Sequence, residues 1–177
     1  MKWCQPNKKI ASLFEEHTDI IVKGDRDVLY GHKVNLATQE DGYITYLNIE
    51  QGNPNDLNLY LPVLKERKHN YNQIPTNVVA DGCYATEENA RSAKAMGVKR
   101  TVFNKPARLS YTDMGVKKKT FKKWKHFRAG VEGNISELKR AYGAGKALWN
   151  HEDGLKAFVW SSTLCYNLIR RVRFSSA

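Results

Sequence analysis

The hydrophobic positions along the chain change period several times, and each change marks an element. Ile20-Ile21-Val22 is a short apolar run followed by the turn signal Lys23-Gly24-Asp25. From Val28 to Thr38 the chain alternates, which places Tyr30, Val34 and Leu36 on one face of a strand. Tyr43 to Ile49 is rich in β-branched and aromatic residues, and Asp41-Gly42 between the two runs predicts an antiparallel hairpin. Gly52-Asn53-Pro54-Asn55-Asp56 then offers caps and a proline for a helix start, after which Leu57, Leu61 and Leu64 form an apolar stripe. Pro62 inside that stripe argues against one continuous helix.

Asn77-Val78-Val79-Ala80-Asp81 predicts a short buried strand that ends in a carboxylate. Thr86 caps a helix running to Gly97, whose acidic first turn, Glu87 and Glu88, suits the helix dipole. Lys99 to Phe103 predicts a further strand, and residues 104–120 read as an increasingly basic loop. A helical period runs from Phe121 to Tyr142. A last helix, from about Gly154 to Arg173, carries Phe158, Cys165, Leu168, Ile169 and Val172 on one face. The order predicts an irregular segment over residues 1–18 and one α/β domain with a mixed sheet over residues 19–177.

Composition narrows the class. With 177 residues and 41% apolar content, the chain suits one ordinary domain and is neither a disordered polar chain nor a repeat protein. No run approaches the ~18 apolar residues of a membrane helix, and the start lacks the apolar core of a signal peptide. Cys4, Cys83 and Cys165 form neither a disulfide framework nor a metal-ligand spacing, so a reducing, cytoplasmic setting is expected. The net charge of +11 is unevenly spread. Residues 1–90 hold nine Lys and Arg against thirteen Asp and Glu; residues 91–177 hold twenty against five. A second half at +15 points to a polyanionic partner, the plainer alternative being a solvated cationic face.

Three places could carry chemistry. Asp81, followed by Gly82-Cys83-Tyr84, sits where a buried strand meets a loop, the usual position of ligand groups in open α/β sheets. An Asp-Gly turn without further role is the alternative. Arg128 and Glu132 stand at i, i+4, and Ser136 and Lys139 continue that helical face. A carboxylate so placed can ligate a divalent cation while its basic neighbours meet phosphates; an ordinary ion-paired surface helix has the same spacing. Finally, Lys117, Lys118, Lys119, Lys122, Lys123, Lys125 and Arg128 fill seven of twelve positions, interleaved with Phe121, Trp124 and Phe127. The cations fit phosphate contacts, and aromatics at that spacing fit a core stripe. His17, His32, His151 and Asp113 have no partner spacing that argues for metal or catalysis, and Cys83 reads as a small apolar filler.

Taken together and in order, these segments resemble the C-terminal part of bacterial DDE-type insertion-sequence transposases, most closely the ISNCY kind. The resemblance runs from His17-Thr18-Asp19-Ile20-Ile21-Val22-Lys23-Gly24 through Tyr30-Gly31-His32-Lys33-Val34, Gly52-Asn53-Pro54-Asn55-Asp56 and Asp81-Gly82-Cys83-Tyr84. It ends on Phe127-Arg128-Ala129-Gly130-Val131-Glu132-Gly133-Asn134-Ile135-Ser136-Glu137-Leu138-Lys139-Arg140, similar to the signature around that group's catalytic glutamate. The resemblance implies an RNase H-like core in which Asp81 and Glu132 are the second and third acids of the triad. These carboxylates would hold two Mg²⁺ ions ~3.5–4 Å apart and activate water or a 3′-hydroxyl against a phosphodiester. Arg128, Lys139 and Arg140 would join the basic run in contacting DNA. The implied partners are transposon-end and target DNA and a second copy of the chain, with no membrane and no small-molecule cofactor.

Two departures stand out. Lys125 occupies the position three before Arg128 where related groups carry tyrosine. No apolar strand before Tyr30 ends in aspartate; Asp19, the nearest substitute, precedes its run instead of following it. The expectation is a truncated or remnant transposase lacking the first, central strand and the first metal ligand. The rival reading is a non-catalytic DNA-binding module that retains the basic half.

Overall fold

In a computed structural model, residues 15, 17–23, 27–104, 109–146 and 148–175 are described. The Gly24-Asp25 turn, Cys4 and nearly all of the expected 1–18 segment lie outside them. Among the described residues the fold is mixed α/β, with small two-stranded sheets and four α-helices. Strands β1 (Asp19–Lys23) and β2 (Asp27–Gly31) pair antiparallel, Asp19 opposite Gly31 and Ile21 opposite Leu29. Strands β3 (Lys33–Thr38) and β4 (Ile44–Glu50) pair across a turn in which Gly42 donates to Gln39 and Gln39 donates to Tyr43. That connection is too short for a parallel crossover, so the Asp41-Gly42 hairpin forms as expected.

The single strand expected over Val28–Thr38 is divided at His32. Gly31 takes φ 149°, a region that side-chain-bearing residues avoid, so the chain changes direction there and β2 and β3 find different partners. Tyr30 is accordingly 67% exposed and does not share a buried face with the residues of β3.

The chain is divided into two compact units. One comprises Ala37–Tyr46 and Asn55–Ser136. In it a 3-10 turn, Asp56–Leu59, capped by the Asn55 side chain, leads into α1 (Tyr60–Tyr71). Pro62 lies in the first turn of α1, where a missing N–H costs nothing. β5 (Asn77–Ala80) runs parallel to β6 (Arg100–Phe103), with α2 (Glu87–Ala95) between them in sequence. Thr86 caps α2 by accepting from the Asn89 N–H at 3.0 Å. The core gathers Tyr60, Leu64, Ala93, Val102, Phe103 and Met114, among others, with Phe121 and Trp124 packed against it. The loop after β6 is bound back onto it: Thr101 donates to the Met114 carbonyl at 3.1 Å. Gly115 follows at φ +67°, where a Cβ would lie 2.7 Å from the Lys99 carbonyl oxygen.

The other unit comprises Met1–Leu36, Leu47–Pro54 and Glu137–Ala177. Its main helix is α4 (His151–Ser175). The buried face of α4 is Val159, Ser162, Thr163 and Tyr166, not the expected face: Leu168, Ile169 and Val172 are exposed, as is Cys165. The helix is apolar on more than one side, so periodicity does not choose between them. The chosen side can bury a hydroxyl because Thr163 donates to the Val159 carbonyl at 2.9 Å, and Tyr166 meets Tyr142 edge-on. The helix α3 (Lys118–Ala141) begins three residues before the expected Phe121. These features are consistent with an RNase H-like DDE fold.

Candidate functional site

Asp81 stands at the carboxyl end of β5 and caps the short 3-10 turn Gly82–Tyr84, its Oδ1 accepting from the Gly82 N–H at 2.6 Å. Asn104, immediately after β6, also accepts from that N–H, at 2.7 Å, and its own N–H donates to the Ala80 carbonyl. Two neighbouring strand ends are thereby tied through one amide, which fixes where the aspartate begins. Its other oxygen, Oδ2, faces Arg128 Nη2 at 3.5 Å.

Arg128 comes from the middle of α3, and its Nη1 reaches Glu132 Oε1 at 3.3 Å, the i, i+4 pair of the helix. One guanidinium, 14% exposed, therefore joins Asp81 to Glu132, whose side chains are 42% and 65% exposed. Both contacts are long for hydrogen bonds, so they are loose electrostatic pairings. The two candidate acids, far apart in sequence, are brought to the same cation.

The surroundings are negatively biased. Burial, then the charges of Asp56 and Asp81, push the Cys83 thiol up to about 12. Tyr84 is raised by burial and by Cys83, Asp56 and Asp81, with Arg128 opposing. Cys83 is exposed, so it is not the apolar filler expected, and its protonated thiol is no nucleophile. Asp56 and Asn104 were not legible as site residues. Asp56 reads as a helix cap, and Asn104 shows only as the first polar residue after an apolar strand.

Along α3, Lys118, Lys119, Lys122, Lys123 and Lys125 are exposed, as is Lys117 just before it. Phe121, Trp124 and Phe127 are half-buried on another side, Phe121 against Tyr111 and Trp124 edge-on to Phe127. The aromatics serve packing, which leaves the lysines to the solvent face. Lys139 and Arg140, in the last turn of α3, are also exposed. Among the described residues, no group of three or more His, Cys, Asp or Glu is arranged to hold a metal ion, and no helix is long and apolar enough to cross a membrane.

Residues 22–168 match the family described as the transposase DDE domain. The chain belongs to that family of DDE transposases, whose function is DNA transposition and whose members bind DNA and generally use a divalent metal. No curated protein and no solved structure matches the chain significantly.

Proposed function

We propose that residues 19–177 form a partial DDE catalytic domain of the ISNCY kind, with Asp81 and Glu132 as second and third acids of the triad. The observation that carries this reading is the convergence of Asp81 and Glu132 on Arg128. Their oxygens are hard donors suited to Mg²⁺, which is usually bound by one or two carboxylates together with substrate phosphates. Two acids do not complete a two-metal site, and none of the described residues joins them as a third. Asp19, the nearest substitute in the sequence, has its Oδ2 accepting from the Gly52 N–H at 2.9 Å and facing His32 Nδ1 at 3.5 Å.

In this reading the protein's own residues bind and orient DNA. Lys117, Lys118, Lys119, Lys122, Lys123 and Lys125 meet phosphates, and Lys139 and Arg140 add to them. Arg128 stands between the acids as a cation that a bound metal would displace from them and that a DNA phosphate would attract. The domain acts in the cytoplasm and as a homodimer on paired DNA ends.

Binding to labelled duplex DNA at several salt concentrations, and incubation of that DNA with Mg²⁺ or Mn²⁺, test the proposal together. Replacing Lys122 and Lys123 by Gln should lower the salt slope by about 1.8, since each phosphate contact contributes ~0.9. Cleavage should be weak. Binding indifferent to the lysines would sink the assigned DNA face. Robust cutting abolished by Glu132→Ala would instead show that the acid set is complete.

A further inference from the structure

The loop that carries Asp81 is held at both ends by asparagines. Asn104 accepts from the Gly82 N–H at its start. Asn89, on α2, takes the other end. Its Nδ2 donates to the Tyr84 carbonyl at 2.9 Å and to the Leu57 carbonyl at 3.0 Å. Carbonyl oxygens only accept, so the atom facing them is the amide nitrogen, with one hydrogen for each. The Asn89 side chain is buried, 5% exposed. Two 3-10 turns are thereby tied to one atom: Asp56–Leu59, which leads into α1, and Gly82–Tyr84, which Asp81 caps. The two turns also lie against each other.

The residue type follows from the position. Asn89 is third in α2, and its N–H donates to the Thr86 hydroxyl that caps the helix. Helical side chains lean toward the N-terminus, so this one reaches back over the chain entering α2. Glu or Gln commonly stands at that position, turned to the N–H of the cap residue. Here the groups within reach are two carbonyls instead. A carboxylate would oppose both, a hydroxyl has one hydrogen, and an ammonium would bring a charge into a buried place. A short neutral amide supplies two hydrogens from one atom.

We propose that Asn89 is a positioning residue for the acid site: by holding the Tyr84 end of the turn, it fixes where Asp81 directs Oδ2, toward Arg128. The proposal rests on the reading of Asp81 and Glu132 as cation ligands. The route from the amide to the acid is short. Asp81 Oδ1 accepts from the Gly82 N–H, the Tyr84 N–H donates to the Asp81 carbonyl at 3.2 Å, and the Tyr84 carbonyl accepts from Asn89. Without the last bond the turn can unwind from its far end. Oδ2 then loses its fixed place beside the guanidinium 3.5 Å away. The Tyr84 ring, 6.2 Å from that of Tyr60, keeps the turn on the core when the amide is removed.

Mn²⁺ binding to the full chain, followed by water-proton relaxation, reads the site without any cleavage. Asn89→Leu keeps the bulk of the side chain and removes both donors. It should weaken Mn²⁺ binding by about tenfold, the lower end of what losing a group that supports a metal ligand costs. Ala93→Gly, one turn further along α2, loosens that helix without touching either carbonyl, and its Mn²⁺ affinity should stay that of the parent chain. Equal weakening in the two variants would reduce Asn89 to a stability role and overturn the proposal. So would unchanged binding in Asn89→Leu. Hydrogen exchange in the unaltered chain decides even where that variant does not fold. A clamp that favours the ion must be favoured by the ion in turn, so saturating Mg²⁺ should slow exchange of the Asn89 amide hydrogens by about tenfold. Exchange indifferent to Mg²⁺ overturns the proposal. A parent chain that binds no Mn²⁺ while those hydrogens stay protected would remove the acid pair as a cation site, and the proposal with it.

Discussion

Replacing Arg128 by Met removes the cation that joins Asp81 to Glu132 while keeping an apolar stem of similar reach. The two contacts removed measure 3.5 and 3.3 Å, and the carboxylates they serve are 42% and 65% exposed. Solvent screens such pairs. The i, i+4 pair is worth ~0.3–0.5 kcal/mol and the Asp81 pair no more than ~1 kcal/mol. The net loss should be about 1 kcal/mol, roughly a fivefold rise in the unfolding constant, read as a shift in urea midpoint at unchanged slope. A loss above ~3 kcal/mol would refute the reasoning, because it would mean the guanidinium neutralises carboxylates cut off from water. A second readout bears on the site itself. With the competing cation gone, Mg²⁺ should raise the melting temperature of Arg128→Met more than that of the parent chain. An equal response in both would remove the acid pair as a cation site.

Other consequences can be measured directly. Burial, only partly opposed by Thr101, pushes the Tyr60 phenol up to about 12, and its hydroxyl is buried without a well-formed partner. The neutral phenol is therefore favoured on folding, so its stabilisation is complete below the ordinary value of ~10 and is lost as pH rises toward 12. Tyr60→Phe should flatten that alkaline fall at little cost near neutral pH, which pH-dependent unfolding checks. Gly115→Ala should destabilise by about 2 kcal/mol or more in urea titration, since left-handed backbone alone disfavours a side chain by ~1–2 kcal/mol and the Lys99 carbonyl leaves no room for Cβ. Cys83, exposed but with its thiol raised to about 12, should be alkylated at about pH 8 far more slowly than an unperturbed cysteine. Asp56→Asn should speed that alkylation, and an unchanged rate would show that the anion is not acting on the thiol.

What could be read from the sequence was local. Asp41-Gly42, the Thr86 cap and the apolar run ending at Asp81 each depend on neighbours within a few residues, and each forms where expected. The Arg128–Glu132 pair was legible for the same reason, one helical turn being the whole distance involved. The other half of that arginine's environment was not, because Asp81 is 47 residues away and only the fold brings it near. The break at His32 depends on a backbone angle that alternation of side chains does not reveal. On α4 the failure was one of choice: Trp160, Leu164, Leu168 and Val172 make as good a stripe as Val159 and Tyr166, yet they remain exposed. The approach of His17 Nδ1 to His32 Nε2, at 2.7 Å, was not legible because the two belong to different segments that meet where β1 and β2 pair.

The shared Gly82 amide has a consequence for coordination. With Oδ1 committed to that N–H, Asp81 has a single oxygen, Oδ2, to offer outward. A cation arriving there would be bound through Oδ2, since chelation would have to share Oδ1 with the Gly82 N–H. If Asp81 and Glu132 serve as proposed, the rest of the ion's shell would come from water and from the phosphate oxygens of bound DNA. Occupancy would then follow the nucleic acid: an ion held through one oxygen exchanges freely until a phosphate arrives with it, so metal and DNA would load as one event.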